Sequence, residues 1–400
     1  MEQKNLRWGY TTGTCAAAAA KAAAAFWLNG TKRPMETVTL PGGGRLSVPV
    51  TAWQSEPGWF AVKKDGGDDP DVTDGTWICA GVNPVSQEEF NCLREDGAGY
   101  VLEEYPKLYL TGGEGVGVAV RPGLSCPEGH YAINPGPRKM ILSEVSQVLE
   151  AAGQDGFFCI RIQIPEGEVL AGRTFNPKLG IQGGISVLGT TGLVKPMSEE
   201  ALLETIRLEI HMETAAGRSV MLMVPGNYGE SFLREQRGVE TGQAVLCSNF
   251  VKQAVSYAAE EQISEVLFAA HIGKLIKVAA GAGNTHSKYG DGRMEEMAEL
   301  SRVCMAEKGL APELGFLEQI RGCNTTEEAL GLLKKAGLSQ AVLELAACRA
   351  KQHMEQWGGG RISVQVMTFS AAYGMLGETE GAESTLRRWK QQRGWEEEAL

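Results

Sequence analysis

Residues 16–25 constrain this 400-residue sequence more than any other segment, because nine of the ten are alanine. Such a run predicts a helix with almost no side-chain bulk. Thr11, Thr12 and Thr14 precede it, and their hydroxyls can accept hydrogen bonds from the free N–H groups at the helix start. Those N–H groups and the helix dipole also favour a bound anion. Two compatible interpretations stay open: a helix buried against a sheet, and a helix start that contacts a ligand.

The alanine run does not fit a signal peptide or a membrane span. Lys21 lies in its middle, and alanine is too weakly apolar to carry a charge into lipid. The segment is also short, and no second hydrophobic run follows it. We therefore expect a cytoplasmic protein without a membrane partner.

Charge and cysteine content exclude further classes of protein. The chain carries 38 basic and 49 acidic residues, a net charge of −11, which disfavours binding to a nucleic-acid backbone. Its nine cysteines are odd in number and include no CxxC pair. This pattern is typical of free thiols in a reducing compartment and argues against a disulfide framework or a zinc site.

The two halves of the chain differ in their patterns. Short β-patterned runs dominate the first half, with two predicted helices, the alanine helix and one over 137–152. This grouping predicts a two-layer α+β domain over residues 1–192. In the second half strands and helices alternate, which predicts a Rossmann-like three-layer αβα domain over residues 193–400. The whole chain is therefore expected to combine α/β and α+β architecture.

Glycine is unusually common, with 51 residues of 400 against an average share of about 7%. The excess is concentrated in a few segments, where the backbone is expected to approach a ligand. One is the turn Pro225, Gly226, Asn227, Tyr228 and Gly229, which follows an apolar strand. Ligands of doubly wound sheets bind at the carboxyl ends of strands, where such turns lie. The spacing is not G-x-G-x-x-G, so a plain strand-to-helix turn is the alternative.

A second group of candidates follows the next predicted strand. His271 and Lys274 come just after its end, and a glycine-rich polar loop with Asn284, His286 and Ser287 comes later. A histidine in such a loop is a candidate for chemistry, although most lone histidines are structural. The two histidines have no third ligand at a recognisable spacing, so we predict no metal site.

Two segments of the first half also resemble binding loops. Residues 180–192, here called the junction segment, hold five glycines at the expected domain boundary, where clefts are common and a hinge is the alternative. Arg138 and Lys139 lie near a helix start, where the dipole disfavours cations unless an anion is nearby. No nucleophile elbow, Walker loop, kinase motif set or HExxH is present. The residues alone thus indicate a two-domain enzyme with a glycine-lined cleft for an anionic small molecule.

Taken together and in this order, the motifs resemble the CbiD family, the cobalt-precorrin-5B C1-methyltransferases of anaerobic cobalamin biosynthesis. The resemblance extends from residue 6 to residue 293. It rests on LRWGYTTGTCAAAAAKAA from Leu6, DDPDVT from Asp68, GEGVGVAVRPGL from Gly113, INPGPR from Ile133, TFNPKLGIQGGISVLGTTGLVKPMS from Thr174, VPGNYGE from Val224, HIGKLIKVAAG from His271 and NTHSKYGDGR from Asn284.

The resemblance implies that S-adenosylmethionine, as cosubstrate, donates a methyl group to ring carbon C1 of cobalt-precorrin-5B, giving cobalt-precorrin-6A. Cobalt would enter only as part of the substrate. The macrocycle is an electron-rich carbon nucleophile and the methyl sulfonium is already activated, so the protein mainly has to align the two. The expected partners are these small molecules, and the sequence is compatible with a homo-oligomer. The alternative function is a corrinoid carrier that binds the intermediate without chemistry.

The resemblance also gives the candidate residues their expected roles. The S-adenosylmethionine pocket is expected at residues 225–229. His271 or His286 is expected beside the macrocycle, either as an axial ligand of cobalt or as a group that manages a proton at the ring. Basic side chains would meet the carboxylate arms of the substrate. The expected corrinoid-binding residues are Thr11, Thr12, Thr14, Arg138, Gly183, Gly184, Thr190, Thr191, Lys274, Asn284 and Ser287.

Overall fold

The structure, a computed structural model, describes residues 6–240, 242–311 and 314–395. It is a mixed α/β protein, which confirms the predicted class at that level. The chain divides into two compact units, Met1–Ser198 and Glu199–Leu400. Each unit has its own five-stranded sheet and its own apolar core.

The first unit is built mainly from short strands. These are β1 (Gly9–Tyr10), β2 (Met35–Thr39), β3 (Arg45–Pro49), β4 (Thr51–Ala52), β5 (Phe60–Lys63), β6 (Trp77–Val85), β7 (Leu108–Gly112), β8 (Gly115–Val116), β9 (Val118–Ala119), β10 (Phe157–Gln163), β11 (Ile181–Gln182), β12 (Gly184–Ile185) and β13 (Leu193–Val194). The helices of this unit are α1 (Thr12–Asn29), α2 (Gln87–Asp96), α3 (Pro135–Ala151) and α4 (Gly167–Ala171).

The main sheet of the first unit has the strand order β4-β5-β6-β10-β7. β10 is antiparallel to β6 and parallel to β7. One face of this sheet packs on α1 and α3, and alternate strand residues such as Ile78 and Ile160 point into that core. All nine alanines of α1 are buried, eight of them in that core, and their small side chains let the helix lie close to both the sheet and α3. The alanine run is thus a buried helix, the first of its two interpretations.

The junction segment is held by short strand pairs. Within it, β11 pairs with β9 and β12 with β8, and β13, directly after it, pairs with β1. These pairs tie the segment on one side to the residues just before α1 and on the other to residues 115–119. The glycine-rich sequence therefore forms paired backbone rather than a free hinge within the first unit.

The second unit has fewer strands and more helices. Its strands are β14 (Val220–Val224), β15 (Val245–Leu246), β16 (Glu265–His271), β17 (Ser363–Ser370) and β18 (Gly374–Glu378). Its helices are α5 (Glu199–Ala215), α6 (Asn227–Arg237), α7 (Val251–Glu260), α8 (Ile272–Ala279), α9 (Arg293–Glu307), α10 (Leu314–Arg321), α11 (Thr326–Lys335), α12 (Ser339–Trp357) and α13 (Ala382–Gln391), with a 3-10 turn at Ser287–Tyr289.

The strand order in this second sheet is β15-β14-β16-β17-β18, and neighbouring strands are parallel except for the antiparallel edge strand β18. The helices that follow β14 and β16 lie on opposite faces. α6 packs Phe232 into the core that contains Leu222, whereas α8 packs Leu275 into the core that contains Met223. The chain therefore leaves the neighbouring strands β14 and β16 toward opposite faces of the sheet. Ligands of open α/β sheets bind at such a point.

All nine cysteines are free thiols. No cluster of three or more His, Cys, Asp or Glu side chains able to hold a metal ion occurs in the described part of the chain. Among the described residues, no helix has both the length and the apolar character needed to cross a bilayer.

Candidate functional site

The candidate site of the second unit begins at the end of β14. Val224 is the last strand residue, and after a two-residue turn α6 starts at Asn227. Gly226 borders open space, since a Cβ built on it would meet no heavy atom within 4 Å, and Tyr228 is 77% exposed. Gly229 is required by packing, because its Cβ would lie 2.8 Å from that of Val224. The turn therefore combines a tightly packed strand–helix joint with room for a ligand.

His271 ends the neighbouring strand β16 and caps α8. Its Nδ1 accepts a 3.2 Å hydrogen bond from the N–H of Gly273, and its Nε2 lies 3.1 Å from Oε1 of Glu327. An accepting Nδ1 implies that the proton is on Nε2, which donates to the carboxylate. Both ring nitrogens of His271 therefore have partners within the protein. The centroid of its ring lies 6.4 Å from that of the Tyr228 ring, at the start of α6.

The loop after α8 holds the second histidine. Oδ1 of Asn284 accepts a 2.9 Å hydrogen bond from the N–H of His286, and Nδ1 of His286 accepts one of 3.1 Å from the N–H of Lys288. The side chain of His286 is exposed, and its Nε2 has no hydrogen-bond partner within the described residues. Ser287 is exposed as well. His286 therefore presents a free ring nitrogen to a ligand, whereas His271 does not.

Lys274 connects this loop to the edge of the sheet. Its Nζ donates to Oδ1 of Asn249 and, at 3.2 Å, to Oγ1 of Thr285. Lys277, one turn later on α8, donates to the carbonyl oxygen of Thr285 at 3.2 Å. Burial lowers the pKa of Lys274, and the positive charges of Lys277 and Arg293 lower this pKa further. The two lysines therefore lie in a locally basic environment.

A cavity of about 360 Å³ opens beside this network. Glycines make up much of its wall, so the backbone is accessible from it. Its lining residues are Lys277, Ala280, Ala282, Gly283, Asn284, Tyr289, Gly290 and Gly292.

The sequence predicted most of the residues at this edge of the second sheet but missed three: Asn249, Thr285 and Glu327. Residues 226–229, His271 and Lys274 lie along it as the strand ends indicated. Asn249 was missed although it follows the short parallel strand β15, so the strand-end rule would have found it. Thr285 lies inside the polar loop named from the sequence, but nothing local shows that it contacts Lys274. Glu327 contacts His271 from far away in sequence, and no local signal marks it.

In the first unit, the polar groups at the start of α1 form hydrogen bonds within the protein. Oγ1 of Thr11 accepts a 3.3 Å hydrogen bond from the N–H of Thr14, whose hydroxyl donates at 2.6 Å to a carbonyl of the junction segment. Oγ1 of Thr12 accepts a 2.9 Å bond from the N–H of Leu188, and the N–H of Gly13 donates to the carbonyl of Leu188 at 3.0 Å. All three threonines are buried. Their hydroxyls thus form hydrogen bonds to the protein's own backbone.

Four other candidates lie in the junction segment itself. Gly183 is exposed with φ +75°, and a Cβ there would meet nothing within 4 Å. Gly184 is buried, and a Cβ would lie 2.1 Å from the carbonyl oxygen of Gly115, so glycine is needed for β12 to approach β8. Thr190 and Thr191 are exposed. Gly183 and the two threonines are therefore accessible to a ligand, and Gly184 supports them.

Arg138 has a structural role. Its Nε donates to the carbonyl of Ile133 at 2.5 Å and its Nη2 donates to the carbonyl of Ser125 at 3.0 Å. The guanidinium carbon lies 3.6 Å from the centroid of the Tyr100 ring, and the residue is only 9% exposed. Its guanidinium is therefore enclosed by backbone carbonyls and an aromatic face.

Comparison with known proteins adds evidence from the whole chain. The CbiD family profile matches residues 1–196, and the profile of the CbiD C-terminal domain matches residues 284–380. One solved structure, titled as a cobalamin biosynthesis protein (cbiD) from Archaeoglobus fulgidus, is 27% identical and covers 76% of this chain and 85% of its own, with a TM-score of 0.38.

Curated relatives are more similar and bear the name cobalt-precorrin-5B C(1)-methyltransferase. The protein of Ruminiclostridium cellulolyticum is 38% identical over 92% of this chain and 90% of its own. That of a Thermoanaerobacter species is 39% identical over 94% and 96%, and that of Listeria monocytogenes is 38% identical over 97% and 98%. Since identity at this level extends over nearly the whole length, the chain belongs to the CbiD family.

Proposed function

We propose that the chain is an S-adenosylmethionine-dependent C-methyltransferase that methylates C1 of cobalt-precorrin-5B to give cobalt-precorrin-6A in anaerobic cobalamin biosynthesis. The observation that carries this proposal is its 38–39% identity, over at least 90% of each chain, to relatives named for that activity. The ends of β14 and β16 support it, because α6 and α8 leave them toward opposite faces and ligands of open α/β sheets bind at such a point.

We assign S-adenosylmethionine to residues 225–229. The open space at Gly226 and the exposed ring of Tyr228 suit a nucleoside, and the first N–H groups of α6 suit the carboxylate of its methionine part. When bound, the cosubstrate supplies an activated methyl group. The Rossmann-like architecture proposed for residues 193–400 would place this pocket at the switch point of the sheet.

We assign the corrinoid to the accessible polar loops. In the second unit these are Lys274, Asn284 and Ser287, and in the first unit Gly183, Thr190 and Thr191. A corrinoid carries several carboxylate arms, so a cation such as Lys274 meets a clear chemical need. Four buried residues would act indirectly, because they fix the junction segment that presents the exposed residues. They are Thr11, Thr12, Thr14 and Gly184.

The protein's own contribution is alignment. The residues need to hold the ring carbon and the methyl donor in line and exclude water, and the reaction requires no protein nucleophile. We assign His286 to the macrocycle, because its free Nε2 can accept a proton or coordinate the cobalt that the substrate brings. His271 positions α8 through its contacts with Gly273 and Glu327.

Incubation of the purified protein with S-adenosylmethionine and anaerobically prepared cobalt-precorrin-5B tests the proposal. We expect S-adenosylhomocysteine to form in equal amount to a corrinoid heavier by one methyl group in place of hydrogen. Tight corrinoid binding with no S-adenosylhomocysteine would overturn the proposal and identify a carrier.

A further inference from the structure

The geometry around Thr285 points to a carboxylate subsite formed by Lys274 and Lys277, with Thr285 as the residue that positions both ammonium groups. This inference rests on the proposed function, because the carboxylate it would bind is one arm of the corrinoid. It adds to that function the identity of the cations that recognise the arm and of the residue that sets their spacing.

Thr285 is held rigidly at the centre of the network. It is 1% exposed, its N–H donates to the carbonyl of Asn249 at 2.9 Å, and its hydroxyl donates to Oδ1 of Asn249 at 3.1 Å. Its two oxygens then accept from the two lysines, Oγ1 from Lys274 and the carbonyl from Lys277, each at 3.2 Å. One buried residue thus fixes two ammonium groups that lie three residues apart on the same face of α8.

Neither ammonium is neutralised by these contacts. Lys274 donates to the neutral oxygens of Asn249 and Thr285, and neither lysine forms an ion pair within the described residues. Each ammonium has three donors, so unused N–H groups are left on both. Asp291, which lies in this region, is already bound by Nε and Nη2 of Arg293, at 2.6 and 2.5 Å.

The charge balance favours an added anion. Burial lowers the pKa of Lys274, and repulsion from Lys277 and Arg293 lowers it further. A carboxylate placed between the lysines would relieve that repulsion and accept charge-assisted hydrogen bonds, which are stronger than neutral ones.

The cavity beside the network gives a ligand access to Lys277, one member of the pair. Lys277 lines this space of about 360 Å³. Gly283, Gly290 and Gly292 contribute no side chains to its wall, and Tyr289, which also lines it, is 62% exposed. An acetate- or propionate-sized arm fits such a volume, while the flat body of its carrier can lie over the exposed ring.

Substitution of the lysines tests the subsite in the intact enzyme. Lys277→Met and the double variant Lys274→Met/Lys277→Met keep most of the apolar stem and remove the charge. We expect the KM for the corrinoid to rise by about tenfold or more in each, with the KM for S-adenosylmethionine and kcat unchanged. The matched control is Lys335→Met, an exposed lysine of α11, which should leave all three constants unchanged. An unchanged corrinoid KM in the Lys277→Met variant would overturn the inference.

Thr285 is tested by a pair of variants that differ in one hydroxyl. Thr285→Val removes the acceptor for Lys274 and should raise the corrinoid KM without changing kcat. Thr285→Ser keeps the hydroxyl and should restore the wild-type KM. Equal KM values for the two variants would remove Thr285 from the positioning role.

Binding of a stable probe separates this inference from the proposed function. Wild-type protein should bind cobyrinic acid, which carries free carboxylates, more tightly than its full methyl ester, and the double lysine variant should lose that preference. If the wild type fails to methylate cobalt-precorrin-5B, the proposed function is wrong. The relative affinities for cobyrinic acid and its ester still test the subsite in that case. The same preference in wild type and variant would overturn the subsite alone.

Discussion

Nζ of Lys21, in the middle of the alanine helix α1, lies 2.6 Å from Oε2 of Glu144 on α3. The other carboxylate oxygen accepts a 2.6 Å hydrogen bond from the N–H of Thr39, and Lys21 also donates to the carbonyl of Thr37 at 2.7 Å. Glu144 is 1% exposed. The one charge within the alanine run therefore forms a buried helix–helix contact, and its partners lie far away in sequence.

Glu144→Gln should destabilise the protein. The substitution keeps the shape of the side chain but leaves Lys21 without a counter-charge, and breaking a buried pair in this way lowers the free energy of unfolding by about 3 kcal/mol. Urea unfolding followed by circular dichroism measures the change. Glu150→Gln, an exposed position on the same helix, is the control and should stay within about 0.5 kcal/mol of wild type. Equal losses in the two variants would contradict a specific role for the ion pair.

The ion pair between Lys64 and Asp71 should make stability depend on pH. Lys64 is 3% exposed, and its Nζ lies 2.5 Å from Oδ2 of Asp71. Burial alone would raise the pKa of Asp71, but Lys64 and the hydrogen bonds from Thr73 outweigh it and hold this pKa below its ordinary value. The stabilisation is thus present above the unfolded-state pKa of about 3.9 and is lost as the pH falls through the lower folded-state value.

Thermal unfolding between pH 6 and pH 3 measures this dependence on both proteins. The Asp71→Asn variant should be less stable than wild type at pH 6, because Lys64 is left buried and unpaired. The difference in stability should shrink as the pH falls. A difference that stays constant over the whole range would show that the charge of Asp71 is not the cause.

The double variant Gly226→Val/Asn227→Ala should lose affinity for S-adenosylmethionine without losing stability. A side chain at 226 fills the space next to the turn, yet it meets no protein atom within 4 Å, and the backbone φ of 167° is extended and open to valine. We expect the Kd, measured by calorimetry, to rise by about tenfold or more while the Tm stays within a few degrees of wild type. Undiminished binding would exclude residues 225–229 as the cosubstrate pocket.

The two histidines should respond differently to substitution. His286→Ala removes a free ring nitrogen and should change the visible spectrum of the bound corrinoid or reduce turnover. His271→Asn keeps a side-chain oxygen that can cap α8 and should leave the spectrum unchanged, since both nitrogens of His271 are already bound. Spectra of both variants with cobalt-precorrin-5B decide the matter. An effect of His271→Asn alone would reverse the assignment.

The second unit was easier to predict than the first, because strands and helices alternate regularly along its sequence. The alternation of strands and helices expected there is seen in β14, α6, β15, α7, β16 and α8. β18 was missed because it is an antiparallel edge strand with two glycines and no alternation of buried and exposed residues. In the first unit α2 was missed although Ser86 and Glu89 form a capping box, since the helix buries only one residue and lacks an apolar face.

Site residues were harder to predict than elements, and Arg138 and Thr12 show why. A buried arginine and a helix-start threonine have the same sequence pattern whether they bind a ligand or the protein's own carbonyls. The partner is chosen by tertiary packing: residues 125 and 133 for Arg138, and the junction segment for Thr12. Candidate residues at strand ends were easier to predict, because the carboxyl ends of parallel strands lie at the same edge of the sheet.

Methyl transfer from S-adenosylmethionine labelled with ¹³C in its methyl group tests the central claim most directly. After incubation with cobalt-precorrin-5B, carbon NMR of the isolated corrinoid identifies the labelled position. We predict a single enriched methyl signal, which becomes a doublet when the substrate also carries ¹³C at ring carbon C1. Label at another ring position, or an unlabelled corrinoid recovered bound to the protein, would contradict the assignment as a C1-methyltransferase.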